Sequence, residues 1–300
     1  MEMTDSSPPQ IFVADTISGA WIDAFLYLLG QPGGVSMAPL QVQVTGLRTG
    51  DDIAQDVEVR QALDKLLVGG GRSKCETVAN TIFPSKAWNR EAPRGLLFER
   101  FIRMWPSIRR HPANRRGTYF QRMIAYGAEP KGDLSDGINQ LEHMISTWEG
   151  GNHRKSALEA PIVDPRRDHT HSRRLGFPCL HQVSFVPLGT NGADGLRVAA
   201  FYPTQYYVEK AYGNFLGLAR LGQFVAHEMG LELRDIVCSV SKAGLPASGA
   251  WTKKKLLAFA DRLPERNQGA SSEPILGDGA EVALPGTAPP VISSHITEND

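Results

Sequence analysis

The chain has 300 residues, 41% of them apolar, and its 32 lysines and arginines balance 32 aspartates and glutamates to a formal charge of zero. That is enough apolar chain for one large core or two small ones, and the balance excludes a uniformly basic nucleic-acid coat and a strongly acidic solvating chain. Three cysteines (Cys75, Cys179, Cys238) are too few, and odd in number, for a disulfide-stapled secreted protein. No apolar run approaches the ~18 residues of a membrane span. The opening MEMTDSSPPQ lacks the basic and apolar regions of a signal peptide. A cytoplasmic protein that contacts no membrane is therefore expected.

In chain order, residues 1–10 are polar with a proline pair, and residues 1–12 are expected to be disordered. The stretch SGAWIDAFLYLL (18–29) sets Trp21, Phe25, Leu28 and Leu29 on one face at helical spacing. GQPGG breaks it, and LQVQVTGL (40–47) alternates as a strand. DIAQDVEVRQALDKLL (52–67) reads as a helix stopped by the glycines at 69–71, and INQLEHMISTW (138–148) as another, stopped at Gly150–Gly151. LHQVSFVPL (180–188) and GLRVAAFYP (195–203) are strands about GTNGADG, which carries an Asn-Gly hairpin signal. NFLGLARLGQFVAHEMGL (214–231) is apolar nearly all round, as a buried helix is, and DIVCSVS is a final strand. From 264 to 300 the Gly, Ser, Pro and Glu composition shows no period, so a disordered tail is expected. Helices mixed with hairpin-linked strands give one α+β domain over 13–263.

One segment departs from neutrality. Between Lys86 and Arg116 lie Lys86, Arg90, Arg94, Arg100, Arg103, Arg109, Arg110, Arg115 and Arg116, against Glu91 and Glu99. Trp88, Phe98, Phe101 and Trp105 are interleaved with them. Two readings stay open: a nucleic-acid surface whose rings stack on bases, or an amphipathic helical insert with a solvated basic face and an aromatic core side.

Phosphate-loop, dinucleotide, nucleophile-elbow and HExxH patterns are all missing from the sequence. The densest reactive cluster is DHTHSRRLGFPCLH (168–181). His169, His171, Cys179 and His181 offer metal ligands, but at no common zinc spacing. Alternatively Cys179, beside Arg173 and Arg174, is a nucleophile, because neighbouring cations favour the thiolate. The bland alternative is a packing cysteine. His227, within the buried helix, and Cys238, in an apolar strand, read as core residues.

The stretch FPCLHQVSF resembles the nucleophile region of the thymidylate synthase and deoxypyrimidine hydroxymethylase superfamily, with Cys-Leu most like its archaeal-type branch. GTYFQRM (117–123) is similar to that family's Tyr-Gly-x-Arg segment. INQLEHMI with GGNHRKS (150–156) resembles its Asp-Gln helix and double-arginine turn. The stretch 211–237 is similar to its long buried helix, and CETVANTIFP (75–84) to the helix of its catalytic glutamate. The resemblance implies a mixed sheet with helices on one face, and a homodimer formed through the other. It implies Cys179 as the nucleophile toward C6 of a pyrimidine nucleotide or nucleoside, with Glu76 and Tyr119 as its catalytic companions. Asn214 would read the base. Arg154 and Lys155 would reach the phosphate of the neighbouring subunit. Arg122, Ser184 and Tyr206 complete the implied substrate contacts. Methylene-tetrahydrofolate would donate the one-carbon unit; no residue is assigned to hold it, and no metal is expected.

Departures from the family pattern are equally specific. Its phosphate-binding Arg-Ser-x-Asp falls on Pro203, Thr204, Gln205 and Tyr206, so both the phosphate arginine and the pterin aspartate are missing. Its sugar-reading Ser-Ala-His-x-Tyr falls on 241–245, without the His or the Tyr, and Ser184 stands where glutamine is expected. Tyr206, Tyr207, Lys210 and Lys242 are available as replacement contacts. Three functions follow: a diverged C5-modifying enzyme, a catalytically silent nucleotide-binding or scaffold protein of the same fold, and a nucleic-acid module centred on 86–116.

Overall fold

The computed structural model describes residues 8–36, 38–48, 50, 52–151, 154–171, 177–245 and 251–264. The chain divides into two units, Met1–Pro264 and Glu265–Asp300; beyond Pro264, the expected tail lies outside the described residues.

Seven strands form one mixed sheet: β1 (Gln10–Ala14), β2 (Val35–Ser36), β3 (Leu40–Val44), β4 (Glu159–Pro161), β5 (Gln182–Leu188), β6 (Gly195–Tyr206) and β7 (Leu233–Gly244). Their order is β1-β3-β7-β6-β5-β4, with β2 also on β7. The helices are α1 (Ile17–Gly30), α2 (Val57–Gly69), α3 (Cys75–Ile82), α4 (Gly95–Ile108), α5 (Tyr119–Ile124), α6 (Gln140–Glu149), α7 (Pro165–Asp168), α8 (Tyr212–Glu228) and α9 (Lys253–Ala260). The class is α+β. Two parallel pairs nevertheless occur, β1 with β3 across α1 and β6 with β7 across α8.

Local chemistry sets the boundaries. Thr16 Oγ1 accepts the Gly19 N–H at 3.0 Å and starts α1. The Asp56 carboxylate accepts the N–H groups of Glu58 and Val59, so α2 begins at Val57, later than the apolar pattern alone implies. The β5–β6 pair is antiparallel as expected, but Asn191 adopts φ 53 within a short 3-10 turn, so the connection is not a two-residue hairpin turn. The expectation of disorder over 1–12 is corrected from Gln10 onward. There β1 pairs in register with β3, a partner that no local pattern in the first twelve residues announces.

The register shows which face is buried. Phe12, Val42, Cys238, Ala200, Val183 and Ala160 lie side by side across the sheet on the face that packs against the core. One residue along, Val13, Gln43, Val237, Ala199, Ser184 and Glu159 lie side by side on the opposite face. That second face leaves Ile11, Val13, Phe201 and Val186 between 40% and 54% exposed. On the core side α8 packs against α3, and Gly217 permits the approach: a Cβ there would lie 2.8 Å from the Ala79 carbonyl oxygen and from Ile82 Cβ.

The 86–116 segment is the amphipathic insert. Leu97, Phe98, Phe101 and Trp105 of α4 are buried, Phe101 meets Phe120 edge-on at 4.8 Å, and Trp88 meets Phe224 at 5.6 Å. These rings are core and stack on no base. No helix among the described residues is long and apolar enough to cross a membrane.

Candidate active site

Cys179 lies on the approach to β5, half-buried, and its N–H donates to Tyr119 Oη at 3.4 Å. Tyr119 opens α5, whose start is fixed by Thr118 Oγ1 accepting the Gln121 N–H at 3.2 Å. Phe177 packs its ring 5.1 Å from that of Tyr119. Behind them Tyr202, on the core face of β6, is wholly buried with no partner for its hydroxyl; Tyr119, Cys179 and Cys238 are its polar neighbours.

The missing phosphate arginine of β6 has a counterpart in Lys210. This residue sits in a π-helical turn, Tyr207–Ala211, that joins β6 to α8. Such turns are rare and recur at functional sites. Lys210 is exposed to solvent, yet desolvation lowers its pKa, and Cys179, Glu209 and Arg72 are its charged neighbours. Burial pushes the Cys179 thiol up and Lys210 draws it back down, with the net shift upward. The resting group near neutrality is thus a thiol. Burial likewise raises Tyr119 far above the ordinary phenol range, so it remains a proton donor.

The remaining predicted residues divide. Asn214 is buried on the first turn of α8, four residues beyond Lys210 and so about one turn away. Tyr206 is half-buried at the end of β6, on the strand face that holds Tyr202.

Glu76 is not placed as a proton carrier. Arg220 Nη1 and Nη2 donate to its carboxylate at 2.7 and 2.9 Å, and Arg60 Nη2 adds a contact at 3.4 Å. The Arg220 hydrogen bonds hold its pKa below the usual glutamate range. It is an ion-pair anchor joining α2, α3 and α8.

Arg122 is likewise corrected. Its guanidinium is bidentate to Asp168 at 2.9 Å on both nitrogens, donates to the Ile162 carbonyl at 3.2 Å and is about 1% exposed. It ties α5 to α7 and lies 5.3 Å from the Phe177 ring. Ser184 stands on the sheet face opposite the core, where it accepts from Gln182 Nε2 at 3.2 Å, and is separated from Cys179 by the sheet. Arg154 is exposed on a loop; the Lys155 side chain, with Arg173 and Arg174, lies outside the described residues.

Among the described residues no three His, Cys, Asp or Glu side chains converge as a metal site, so His169, His171, Cys179 and His181 form none. A cavity of about 510 Å³ is lined by Arg90, Arg94, Glu142, His227 and Glu228, and in it Arg94 binds Glu142 and Glu149.

Sequence reasoning missed Arg72, which follows a run of glycines in the α2–α3 connection, and Phe177. In each case the only local signal was proximity to a motif. A scan against family models and a search of curated proteins return no match for this chain.

Proposed function

We propose that this protein is a thymidylate synthase-like enzyme that uses Cys179 as a nucleophile toward C6 of a pyrimidine nucleotide or nucleoside, preparing C5 to accept a methyl or hydroxymethyl group. The observation that supports it is the hydrogen bond between Cys179 and Tyr119 together with the nearness of Lys210 to the same thiol. As the sulfur bonds to C6 its proton leaves to solvent, and the C5–C6 π pair moves toward O4 as an enolate. The Lys210 ammonium offsets the charge on sulfur before attack. Tyr119 is positioned to donate to developing anionic charge. Asn214, an amide that both donates and accepts, faces O4 and N3 in this reading. Arg72 and Lys210 supply positive charge for an anionic substituent.

Methylene-tetrahydrofolate is the donor that the resemblance implies. The carboxylate that would hold its pterin falls on Tyr206, a phenol, and the residues present do not fit a folate held in that way. The donor is assigned only by class, as an electrophilic one-carbon carrier.

Reversible addition to C6 exchanges the C5 proton with solvent and needs no donor. Incubation of uridine and cytidine nucleotides and nucleosides in heavy water should show exchange at C5 by proton NMR, abolished by Cys179→Ser. The 5-fluoro analogues should add their mass at Cys179. Neither exchange nor adduct across the panel, with oligo-uridine included in it, overturns the proposal.

A catalytically silent binding protein is the second reading, favoured by the engagement of Glu76 with Arg220 and Arg60. It requires Cys179→Ala to leave ligand binding and cellular phenotype intact.

The uncovered sheet face is proposed to take a second copy of this chain. Its central rows carry neutral Gln41, Gln43, Ser184 and Ser239, its Arg197 is paired with Asp235 at 2.6 Å, and four apolar side chains are exposed, so the face is self-complementary. Phe201→Glu should turn a sedimenting dimer into a monomer; a monomeric native protein removes the idea.

A further inference from the structure

The exposed arginines of the insert are not spread evenly around the molecule. Arg94 is consumed by Glu142 and Glu149, Arg100 donates to the Ala87 carbonyl, and Arg90 lies over the Trp88 ring. Arg103, Arg110, Arg115 and Arg116 are exposed and form no ion pair or hydrogen bond through their side chains among the described residues. Arg103 lies on α4, and Arg110 follows two residues after its end, in the turn that leads toward Arg115. Arg115 and Arg116 end three residues before Tyr119, at most about 11 Å along the chain. The hinge between them, Gly117, has φ 117, and a Cβ there would lie 2.7 Å from Gln121 Oε1 and 3.5 Å from Phe177. The cationic run is thus delivered against the Tyr119–Phe177 ring pair that borders Cys179, one side of Phe177 being backed by Arg122 at 5.3 Å.

We propose that Arg103, Arg110, Arg115 and Arg116, together with the half-buried Tyr119–Phe177 rings, bind a single-stranded polynucleotide, its phosphates along the arginines and one base against the rings beside Cys179. The inference rests on the reading of Cys179 as the site of chemistry, and it names the substrate of that site as a base within a strand. Phosphate contacts supply affinity that falls with salt, and ring contacts hold an unpaired base without regard to sequence. A duplex presents no unstacked base to such a pair.

The test is fluorescence anisotropy of full-length Cys179→Ser protein with labelled 20-nucleotide oligo-uridine, oligo-thymidine and a duplex of the same length, across a salt series. Expected are saturable binding of single strands above duplex and a linear fall of log affinity with log salt. Replacing Arg103, Arg110, Arg115 and Arg116 with glutamine should shrink that slope by up to roughly 0.7 for each lost phosphate contact. Phe177→Leu should weaken single strands by on the order of ten-fold while leaving the slope unchanged. The two single strands report whether RNA or DNA is preferred. Equal binding by the glutamine variant, binding of duplex equal to single strand, or no binding at low salt overturns the proposal. Because this protein lacks the thiol, these outcomes do not depend on covalent chemistry. Failure of the nucleophile reading is scored separately, by C5 exchange with the native protein across nucleotides, nucleosides and oligo-uridine.

Discussion

Asp168→Asn is the most informative single change, because it asks whether Arg122 is structural or substrate-facing. The wild-type pair makes two hydrogen bonds of 2.9 Å, and the side chains are 2% and 7% exposed. The asparagine keeps the shape and one acceptor but leaves a guanidinium charge buried, with the Ile162 carbonyl as its remaining strong acceptor. Stranding a buried charge costs about 3–5 kcal/mol. For a domain of this size each kcal/mol lowers Tm by about 2–4 °C, so a fall of about 6–20 °C is expected in calorimetry near pH 7. Arg122→Met with Asp168→Leu removes both charges and should regain most of that loss, since well-packed apolar replacements of buried pairs are often neutral. The double variant should also still bind pyrimidine nucleotide. A shift under about 2 °C for Asp168→Asn, or a stable double variant that has lost binding, would refute the reasoning.

Three further outcomes follow from named contacts. Gly217→Ala should destabilise by about 1–2 kcal/mol in urea unfolding, because overpacking against Ala79 and Ile82 outweighs the gain in helix propensity; unchanged stability would mean that α3 yields freely. Glu76 has a folded pKa below its ordinary 4.5, so its contribution is present above that value and lost as pH falls through the lower folded one. Glu76→Gln should therefore be less stable than wild type at neutral pH, and the two should converge in acid; a gap that persists in acid is the contrary result. For Cys179, alkylation by iodoacetamide should rise with pH at values above those of an ordinary thiol. Lys210→Met should shift that profile higher still, because it removes a neighbour that pulls the thiol down. A profile unmoved by Lys210→Met would place the ammonium elsewhere.

Much of the fold was readable because burial is one-sided. Leu40, Val42 and Val44 alternate with glutamines, and this alternation marks β3 without reference to any partner. Trp21, Phe25 and Leu28 mark α1 in the same way. β1 was not readable: with Ile11 and Val13 facing outward, its five residues show apolar side chains on both faces and the period disappears. Cys179, Tyr119 and Lys210 were all legible by residue type and position. The fates of Glu76 and Arg122 were not. Their partners Arg220 and Asp168 lie far along the chain, and an ion pair between distant segments leaves no local period. The same applies to the insert: its composition revealed a basic stretch with aromatics, but only the packed structure separates the rings that face inward from the arginines that face out.

The position of β7 between β3 and β6 has a consequence for synthesis. β1, α1 and β3 leave the ribosome as a parallel pair with a helix on one side, and the strand that closes their open edge is made roughly 190 residues later, about 10–40 s at ordinary translation rates. Over that interval Leu40, Val42 and Val44 have a ladder partner on the β1 side alone and lack complete core cover. Truncation before residue 233 should thus yield an aggregating fragment, and the nascent chain is a natural client for holdase chaperones until β7 arrives.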